Sequence, residues 1–323
     1  MEKPEAPKAY ASGFSLAPMA GVTDSAMRRI CRGLGASATV TEMVSAAGLS
    51  RRSVKTSRLL VHSEDERPLG VQLFGRRPED FARAAGLVSD LGFDFIDVNA
   101  GCPVRRVAMK GSGAGLLRDL PLLLEILRAV GGSSHLPVTV KIRLGWAKDS
   151  PLPPDAAERL ADAGASVIAV HGRYRCDLFS GSVDCAAIRR FVEHSPVPVL
   201  ANGDSTSAQA ARSMVSASGA SGALLARGAV SNPWIFRALS GSGAGRPMPG
   251  ELRATVNAQL AMMHEYIDEP YIYHAMRGHL CRYLRGFRGA SALRARAVRV
   301  ESDLEVDEVL AKAEALIYPM GAP

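Results

Sequence analysis

Short apolar runs alternate with amphipathic segments along the chain as far as residue 239. The runs are rich in β-branched or other apolar residues and end at turn residues, as buried strands do. They predict strands at residues 14–17, 38–43, 69–74, 93–98, 138–142, 166–170, 197–201 and 222–226. Helical periodicity lies between them, for example at 78–91, 115–130, 154–163, 186–194 and 205–218. Eight strands in alternation with helices predict an α/β fold, a parallel (β/α)8 TIM barrel.

The alternation stops after a last helical segment at 234–239. Glycine, serine and proline dominate residues 240–249, a composition typical of a linker. Beyond it only helical periodicity recurs, at about 251–268, 271–286, 291–300 and 304–317. We therefore expect a catalytic barrel at 1–240, a linker at about 240–250 and a small helical bundle domain at 250–323. An open doubly wound sheet is less favoured, because no Gly-x-Gly-x-x-Gly follows the first strand.

The amino-acid composition favours a soluble globular protein and argues against several other classes. The chain is 47% hydrophobic and 22% charged, as soluble globular proteins are, and no apolar run approaches the ~18 residues of a membrane span. The N-terminus has no signal-peptide core, so we expect a cytoplasmic protein with no membrane partner. Its five cysteines are widely spaced without a Cys-x-x-Cys pair, which argues against a disulfide framework and a zinc site; we expect no metal.

The formal charge of +7 is concentrated in one segment. Residues 270–300 hold seven arginines and neither lysine nor acidic residues, so the remaining chain balances at 32 basic against 32 acidic residues. Aromatic and histidine residues interleave with these arginines: Tyr271, Tyr273, His274, His279, Tyr283 and Phe287. Guanidinium groups pair with phosphates and rings stack on bases, so this pattern favours an RNA partner for the helical domain.

Polar, glycine, proline or methionine residues lie at the end of nearly every predicted strand or just after it. They are Pro18 and Met19, Gln72, Asn99 and Cys102, Lys141 and Arg143, His171 and Arg173, Asn202, Gly203 and Asp204, and Arg227 and Gly228. In a barrel all of these positions lie at one mouth, where active sites form. Singly, each has an ordinary explanation, such as a surface charge, a core histidine or a turn. Their coincidence at one rim favours a functional site.

The chemistry of these residues indicates flavin mononucleotide (FMN). Gly203 and Gly228 allow backbone amides to approach a phosphate, and Arg227 can pair with it. Lys141 would stabilise negative charge on a reduced aromatic cofactor, and Gln72 can hydrogen-bond a ring edge. Cys102, on a Gly/Pro corner after a strand, would be presented to the cavity.

A set of ordered motifs extends this interpretation. They are Ala17-Pro18-Met19-Ala20-Gly21-Val22-Thr23-Asp24, Gln72-Leu73-Phe74-Gly75, Asn99-Ala100-Gly101-Cys102-Pro103, Gly111-Ser112-Gly113-Ala114-Gly115-Leu116-Leu117-Arg118-Asp119, Val140-Lys141-Ile142-Arg143, His171-Gly172-Arg173, Asn202-Gly203-Asp204 and Arg227-Gly228. In kind and order they resemble the motifs of the bacterial tRNA-dihydrouridine synthases, over about residues 14–239.

The resemblance implies an FMN enzyme that reduces uridine in tRNA to 5,6-dihydrouridine, with NADPH as reductant. By motif, Cys102 would be the general acid that protonates carbon 5 after hydride reaches carbon 6, with Asn99 and Lys141 also catalytic. The implied cofactor contacts are Ala17, Pro18, Met19, Gln72, Lys141, His171, Asn202, Gly203, Asp204, Arg227 and Gly228. The expected substrate or RNA contacts are Arg143, Arg173, Arg105, Arg106, Arg277, Arg282 and Arg285. Residues 104–114 would form a mobile loop that closes over the base.

Other functions remain open at this point. A small-molecule flavin oxidoreductase of the dihydroorotate or dihydropyrimidine type would share the barrel and flavin, but leaves the arginine-rich domain unexplained. The same chemistry on ribosomal RNA, NADH in place of NADPH, and a non-catalytic RNA-binding protein are further alternatives. We expect a monomer.

Overall fold

The computed structural model describes residues 4–269 and 271–318. Its strands are β1 (Phe14–Leu16), β2 (Thr39–Val40), β3 (Val44–Ser45), β4 (Leu69–Phe74), β5 (Phe95–Ala100), β6 (Val138–Arg143), β7 (Gly145–Ala147), β8 (Ser150–Pro151), β9 (Ala165–His171), β10 (Val199–Asn202) and β11 (Gly222–Leu225). Its α-helices up to the predicted linker are α1 (Lys8–Ala11), α2 (Ser25–Gly33), α3 (Ala46–Ser50), α4 (Val54–Ser57), α5 (Pro78–Val88), α6 (Arg105–Ala108), α7 (Leu120–Gly131), α8 (Ala156–Asp162), α9 (Cys185–Glu193), α10 (Ala208–Ser218), α11 (Arg227–Ser231) and α12 (Ile235–Ser240). Beyond it follow α13 (Glu251–His264), α14 (Tyr271–Tyr283), α15 (Ala290–Ala297) and α16 (Asp303–Ile317). Short 3-10 helices span Arg58–Leu60, Glu64–Glu66 and Gly113–Arg118.

The strands form a parallel barrel, as the sequence predicts. Neighbours follow the order β1-β11-β10-β9-β6-β5-β4-β2, and β3 continues the β2 position beside the end of β4. Two backbone hydrogen bonds join the outer strands, from Leu16 N to Ala38 O at 3.0 Å and from Ser37 N to Phe14 O at 2.9 Å. All carboxyl ends therefore meet at one mouth.

Local chemistry explains where the elements differ from prediction. The predicted strand 38–43 is interrupted between β2 and β3 at Thr41, whose hydroxyl takes the place of a ladder carbonyl and accepts from Gln72 N at 3.0 Å. The predicted helix 115–130 begins as a 3-10 turn, and α7 starts only where the Asp119 carboxylate accepts from Leu122 N. The hairpin of β7 and β8 was not predicted.

Two apolar layers hold the barrel together. A large cluster fills the space between the strands and the surrounding helices. A smaller one fills the interior, where Tyr10 of α1 stacks on Phe95 with 4.3 Å between ring centroids. Because α1 precedes β1, this ring pair closes the barrel at the end away from the mouth.

The helices α13–α16 share a separate apolar core. Trp234, just before α12, and Ala26 of α2 join this core from the barrel side. His279 of α14 also approaches α2, with Nε2 at 3.3 Å from the Asp24 carboxylate. The helical unit therefore packs against α2 and against Trp234 of the barrel. Of the helices within residues 4–269 and 271–318, none is both long and apolar enough to cross a membrane.

Candidate active site

A cavity of about 450 Å³ opens at the carboxyl ends of the strands. Fourteen of the residues singled out from the sequence line it: Ala17, Pro18, Met19, Asn99, Cys102, Arg106, Lys141, Arg143, His171, Asn202, Gly203, Asp204, Arg227 and Gly228. Its wall combines apolar surface, a thiol and several cations. Cys102 thus shares one space with Lys141, His171 and Arg227.

The backbone around Cys102 is held from three directions. Asn99 Oδ1 accepts from Cys102 N at 3.0 Å and from Gly101 N at 3.3 Å. Arg143 Nε donates to Gly101 O at 2.9 Å, and Ala114 N donates to Cys102 O at 3.0 Å. These contacts fix the backbone that carries the half-buried thiol, and a positioned proton donor needs such support.

A buried hydrogen-bond chain supports this turn from below. The Asp97 carboxylate accepts from Thr139 Oγ1 at 2.7 Å and from Gln72 Nε2 at 2.6 Å. Gln72 Oε1 in turn accepts from Asn99 Nδ2 at 2.8 Å. Gln72 is fully buried behind Asn99 and does not line the cavity, so its amide orients Asn99. Sequence reasoning missed Asp97 and Thr139, although both lie on neighbouring strands in register.

Crowded cations make the cavity electropositive. Burial and then the Arg143 cation lower the pKa of Lys141 to about 8, while burial and then Arg173 lower the pKa of Arg143 to about 10. Burial, followed by these cations and Arg227, also lowers the pKa of His171. His171 is therefore neutral, and its Nε2 accepts from Arg173 at 3.2 Å. Such a cavity favours an anionic or electron-rich ligand.

The loops after β10 and β11 approach each other closely. A Cβ on Gly228 would lie 2.1 Å from Ser205 O, so only glycine permits this approach. Asp204 contacts both Arg173 and, at 3.3 Å, Arg227. Asp204 adopts a positive φ of 24°, a strained backbone that the two arginines help to hold. These loops form a concave, cationic edge of the cavity.

The structure places other predicted residues outside the cavity wall. Arg173 is buried and also donates to Ser180 O at 2.9 Å, so it shapes the loop. The predicted loop 104–114 contains α6, and Arg105 on this helix is exposed without lining the cavity. In the opposite sense, the exposed Phe179 was missed: it lines the mouth, 5.6 Å from the guanidinium carbons of both Arg143 and Arg227.

The arginines of the helical unit lie apart from the cavity. Arg277 donates to Val300 O at 3.0 Å, Arg282 donates to Gly278 O at 2.6 Å, and Arg285 is exposed. The interleaved rings differ in how accessible they are for stacking on a base. Three of them are buried in or against the helical core, namely Tyr273, His279 and Tyr283, whereas Tyr271 and His274 are exposed. Pro270, also in this segment, lies outside the described residues.

Known proteins match nearly the whole length of the chain. The family model for dihydrouridine synthase (Dus) matches residues 15–317. The chain is 38% identical over 296 residues to tRNA-dihydrouridine synthase B of Pseudomonas syringae pv. tomato, covering 90% of this chain and 88% of that protein. It is 33% identical over 309 residues to a probable tRNA-dihydrouridine synthase of Rickettsia conorii, covering 93% of each.

Solved structures share the fold at much lower identity. A histamine dehydrogenase from Rhizobium sp. 4-9 matches 77% of this chain and 48% of its own, with a TM-score of 0.56 and 13% identity. Morphinone reductase in complex with tetrahydroNAD matches 74% of this chain and 89% of its own, with a TM-score of 0.52 and 13% identity. These similarities support the barrel architecture alone.

Proposed function

The chain belongs to the dihydrouridine synthase family, and we propose that its cavity reduces uridine in tRNA to 5,6-dihydrouridine, with FMN as cofactor and Cys102 as proton donor. The observation that carries the proposal is the position of the Cys102 thiol. It shares one cavity with Lys141, with His171 and with the cationic edge around Arg227. The activity named for the bacterial relatives requires a flavin oxidoreductase site of this kind.

The residues of the cavity fit a flavin with a single phosphate. The apolar wall at Ala17, Pro18 and Met19 suits a flat ring system, and the edge around Gly228 and Arg227 suits a phosphate. Lys141 Nζ donates to Asn202 Oδ1 at 2.8 Å, so its charge is fixed inside the cavity. A bound reduced flavin supplies hydride to the pyrimidine, and NADPH is the proposed source of these electrons.

The residues of this chain then complete the reduction of the pyrimidine ring. Hydride addition at carbon 6 of the uracil ring places negative charge on carbon 5 and on the oxygen of the neighbouring carbonyl group. The Cys102 S–H bond breaks as a C–H bond forms at carbon 5, which leaves a thiolate. Lys141 and Arg143 are close enough to Cys102 to interact electrostatically with that thiolate. The thiol must therefore be protonated before each turnover.

Recognition of tRNA is assigned to both parts of the chain. Residues 1–240 form the catalytic unit and residues 250–323 bind RNA, and the proposed place of action is the cytoplasm. The ends of these ranges, 1–3 and 319–323, lie outside the described residues. Arg285 and the rings Tyr271 and His274 are exposed on α14 or just beyond it, where they can contact RNA. Arg106 and Arg143 would approach the target nucleotide from the cavity wall.

The test of this function is direct. Purified protein reconstituted with FMN and given NADPH should convert uridine in unmodified tRNA to dihydrouridine, measured by mass spectrometry of the digested RNA. Free uracil, orotate and ribosomal RNA should remain unchanged under the same conditions. Reduction of free orotate instead would assign the cavity to a small-molecule oxidoreductase. Conversion of ribosomal RNA alone would show that ribosomal RNA, and not tRNA, is the substrate.

Arg227 gives a separate prediction about the cofactor. Arg227→Ala removes a charged hydrogen-bond donor from the proposed phosphate site, so the dissociation constant for FMN should rise about 10- to 100-fold. Titration of apoprotein with FMN, followed by flavin fluorescence, measures this change. Arg190→Ala, on the exposed side of α9, is the matched control and should leave the constant unchanged. Equal affinity of the two variants for FMN would show that the FMN phosphate does not bind at this edge of the cavity.

A further inference from the structure

A compact basic segment on the barrel itself is not used by the site described above. Residues 43–63 contain Arg51, Arg52, Lys55 and Arg58 and no acidic residue. All four side chains are exposed, and none has a hydrogen bond or ion pair within the described ranges 4–269 and 271–318. Four uncompensated cations in eight consecutive positions make a strong local positive field.

The beginning of this segment is fixed at the mouth of the barrel. It leaves β3, whose residues Val44 and Ser45 pair with Leu73 and Phe74 at the carboxyl end of β4. Ser45 caps α3 by accepting from Gly48 N at 3.1 Å, and Leu49 of α3 is buried. The cations are therefore presented from a fixed platform, which lowers the entropy cost of binding.

Two further contacts fix the segment on the barrel. Ser50 Oγ donates to the Asp80 carboxylate at 3.0 Å, which ties the end of α3 to the first turn of α5. Leu59 and Leu60 pack against the main apolar core. The first turn of α5 follows directly on β4, so the contact between Ser50 and Asp80 lies on the mouth side of the barrel.

The basic surface continues towards the cavity through Arg76. This side chain follows β4 and lies against Gly111, where a Cβ would be 2.9 Å from Arg76 Cδ. Gly111 belongs to the same loop as Arg105 and Arg106, next to Cys102. We call Arg51, Arg52, Lys55, Arg58 and Arg76 the basic rim. The rim thus runs from α3 to the loop that follows Cys102.

We propose that the basic rim binds the phosphate backbone of the RNA beside the target nucleotide, as a second RNA-binding surface in addition to the helical unit. This inference rests on the proposed function. A nucleotide extruded into the cavity leaves its flanking phosphates at the mouth, where fixed cations can bind them. The free energy of unstacking the base must come from such contacts. The arginine and lysine side chains of this rim have the charge that phosphates require, and they have no competing hydrogen-bond or ion-pair partner among residues 4–269 and 271–318.

The experiment compares two triple variants with equal loss of charge. Arg51→Gln, Lys55→Gln and Arg58→Gln are combined in the rim variant. Lys8→Gln, Arg128→Gln and Arg190→Gln are combined in the control, because all three residues are exposed and lie before β1 or in the last turns of α7 and α9, which lead to the amino ends of strands. Binding of fluorescent, unmodified tRNA to the FMN-loaded protein is measured by anisotropy between about 50 and 300 mM salt. Flavin reduction by NADPH without RNA reports whether the cofactor site is intact.

We expect the rim variant to bind tRNA roughly 10- to 50-fold more weakly at about 0.15 M salt, with a shallower salt slope by about 1 to 2. The control should keep wild-type affinity and slope, and both variants should reduce flavin normally. An unchanged slope and affinity in the rim variant, while wild type still modifies tRNA, would overturn the inference and leave the proposed function standing. A rim variant that loses binding to anionic lipid vesicles but keeps its affinity for tRNA would also overturn the inference and leave the proposed function standing. If wild type neither binds nor modifies tRNA, both fail.

Discussion

Replacement of Cys102 by alanine should lower the rate of dihydrouridine formation by about 100- to 10,000-fold, the usual contribution of a positioned proton donor. The reason is that Asn99 and Arg143 hold this turn so that one thiol meets the substrate position. Cys102→Ser should be similarly slow, since an alcohol is a much weaker acid than a thiol. The measurement is single-turnover conversion of tRNA by pre-reduced enzyme, with the product quantified by mass spectrometry.

Two readouts separate a chemical defect from a structural one. Flavin reduction by NADPH and the affinity for tRNA should be unchanged in Cys102→Ala, because the proposed mechanism uses the thiol only in the proton transfer. Cys185→Ser, in a half-buried position on α9 away from the cavity, should turn over at the wild-type rate. A Cys102→Ala enzyme that keeps its rate within about fivefold would show that the proton comes from another group.

Glu66→Gln should destabilise the fold by about 3–5 kcal/mol, because it leaves the Arg28 guanidinium buried without its counter-ion. The two side chains are almost fully buried, with Arg28 Nε at 2.5 Å from Glu66 Oε2. Glu66 also accepts from Ser25 Oγ and, at 2.9 Å, from Ser63 N. Arg28 also donates to Val61 O at 2.8 Å. The ion pair and this hydrogen bond therefore link α2 to residues 61–66, which follow the segment of the basic rim.

The control for this prediction removes a partner of Arg29, the residue that follows Arg28 on α2. Arg29 pairs with Glu265 at 2.7 Å, but the Glu265 carboxylate is 58% exposed. Glu265→Gln should therefore change stability by less than about 1 kcal/mol. Urea unfolding followed by circular dichroism gives both values. Equal, small effects of the two substitutions would mean that the buried pair is compensated by its other hydrogen bonds.

Much of the barrel can be predicted from the sequence because its signals are local. Apolar runs and turn residues locate the strands within a few residues, as at 69–74 and 138–142, where the observed strands are Leu69–Phe74 and Val138–Arg143. The interruption at Thr41 was not predicted, because it depends on a hydrogen bond to the neighbouring strand. Parallel strand ends share one mouth, so the polar residues that follow the strands can be grouped from their sequence positions alone.

The positions of individual side chains needed the fold. Gln72 lies near the end of a strand and Arg173 follows one, as the cavity residues do, yet Gln72 orients Asn99 and Arg173 holds Asp204. Phe179 gives no strand or motif signal, and only the path of the chain after β9 brings it to the mouth. A strand-end position specifies the rim of the barrel, but the packing of neighbouring loops decides which side chains reach its cavity.

By itself the sequence determined the architecture, the mouth and the thiol at its edge, because periodicity and turn chemistry are properties of adjacent residues. Only the tertiary structure decided which charges are paired inside the molecule and which remain for a ligand. Arg28 finds Glu66 across 38 positions of sequence, whereas Arg51 and Lys55 find no partner in the described part of the chain. Pairing of this kind depends on distances between segments far apart in sequence, which no local pattern encodes.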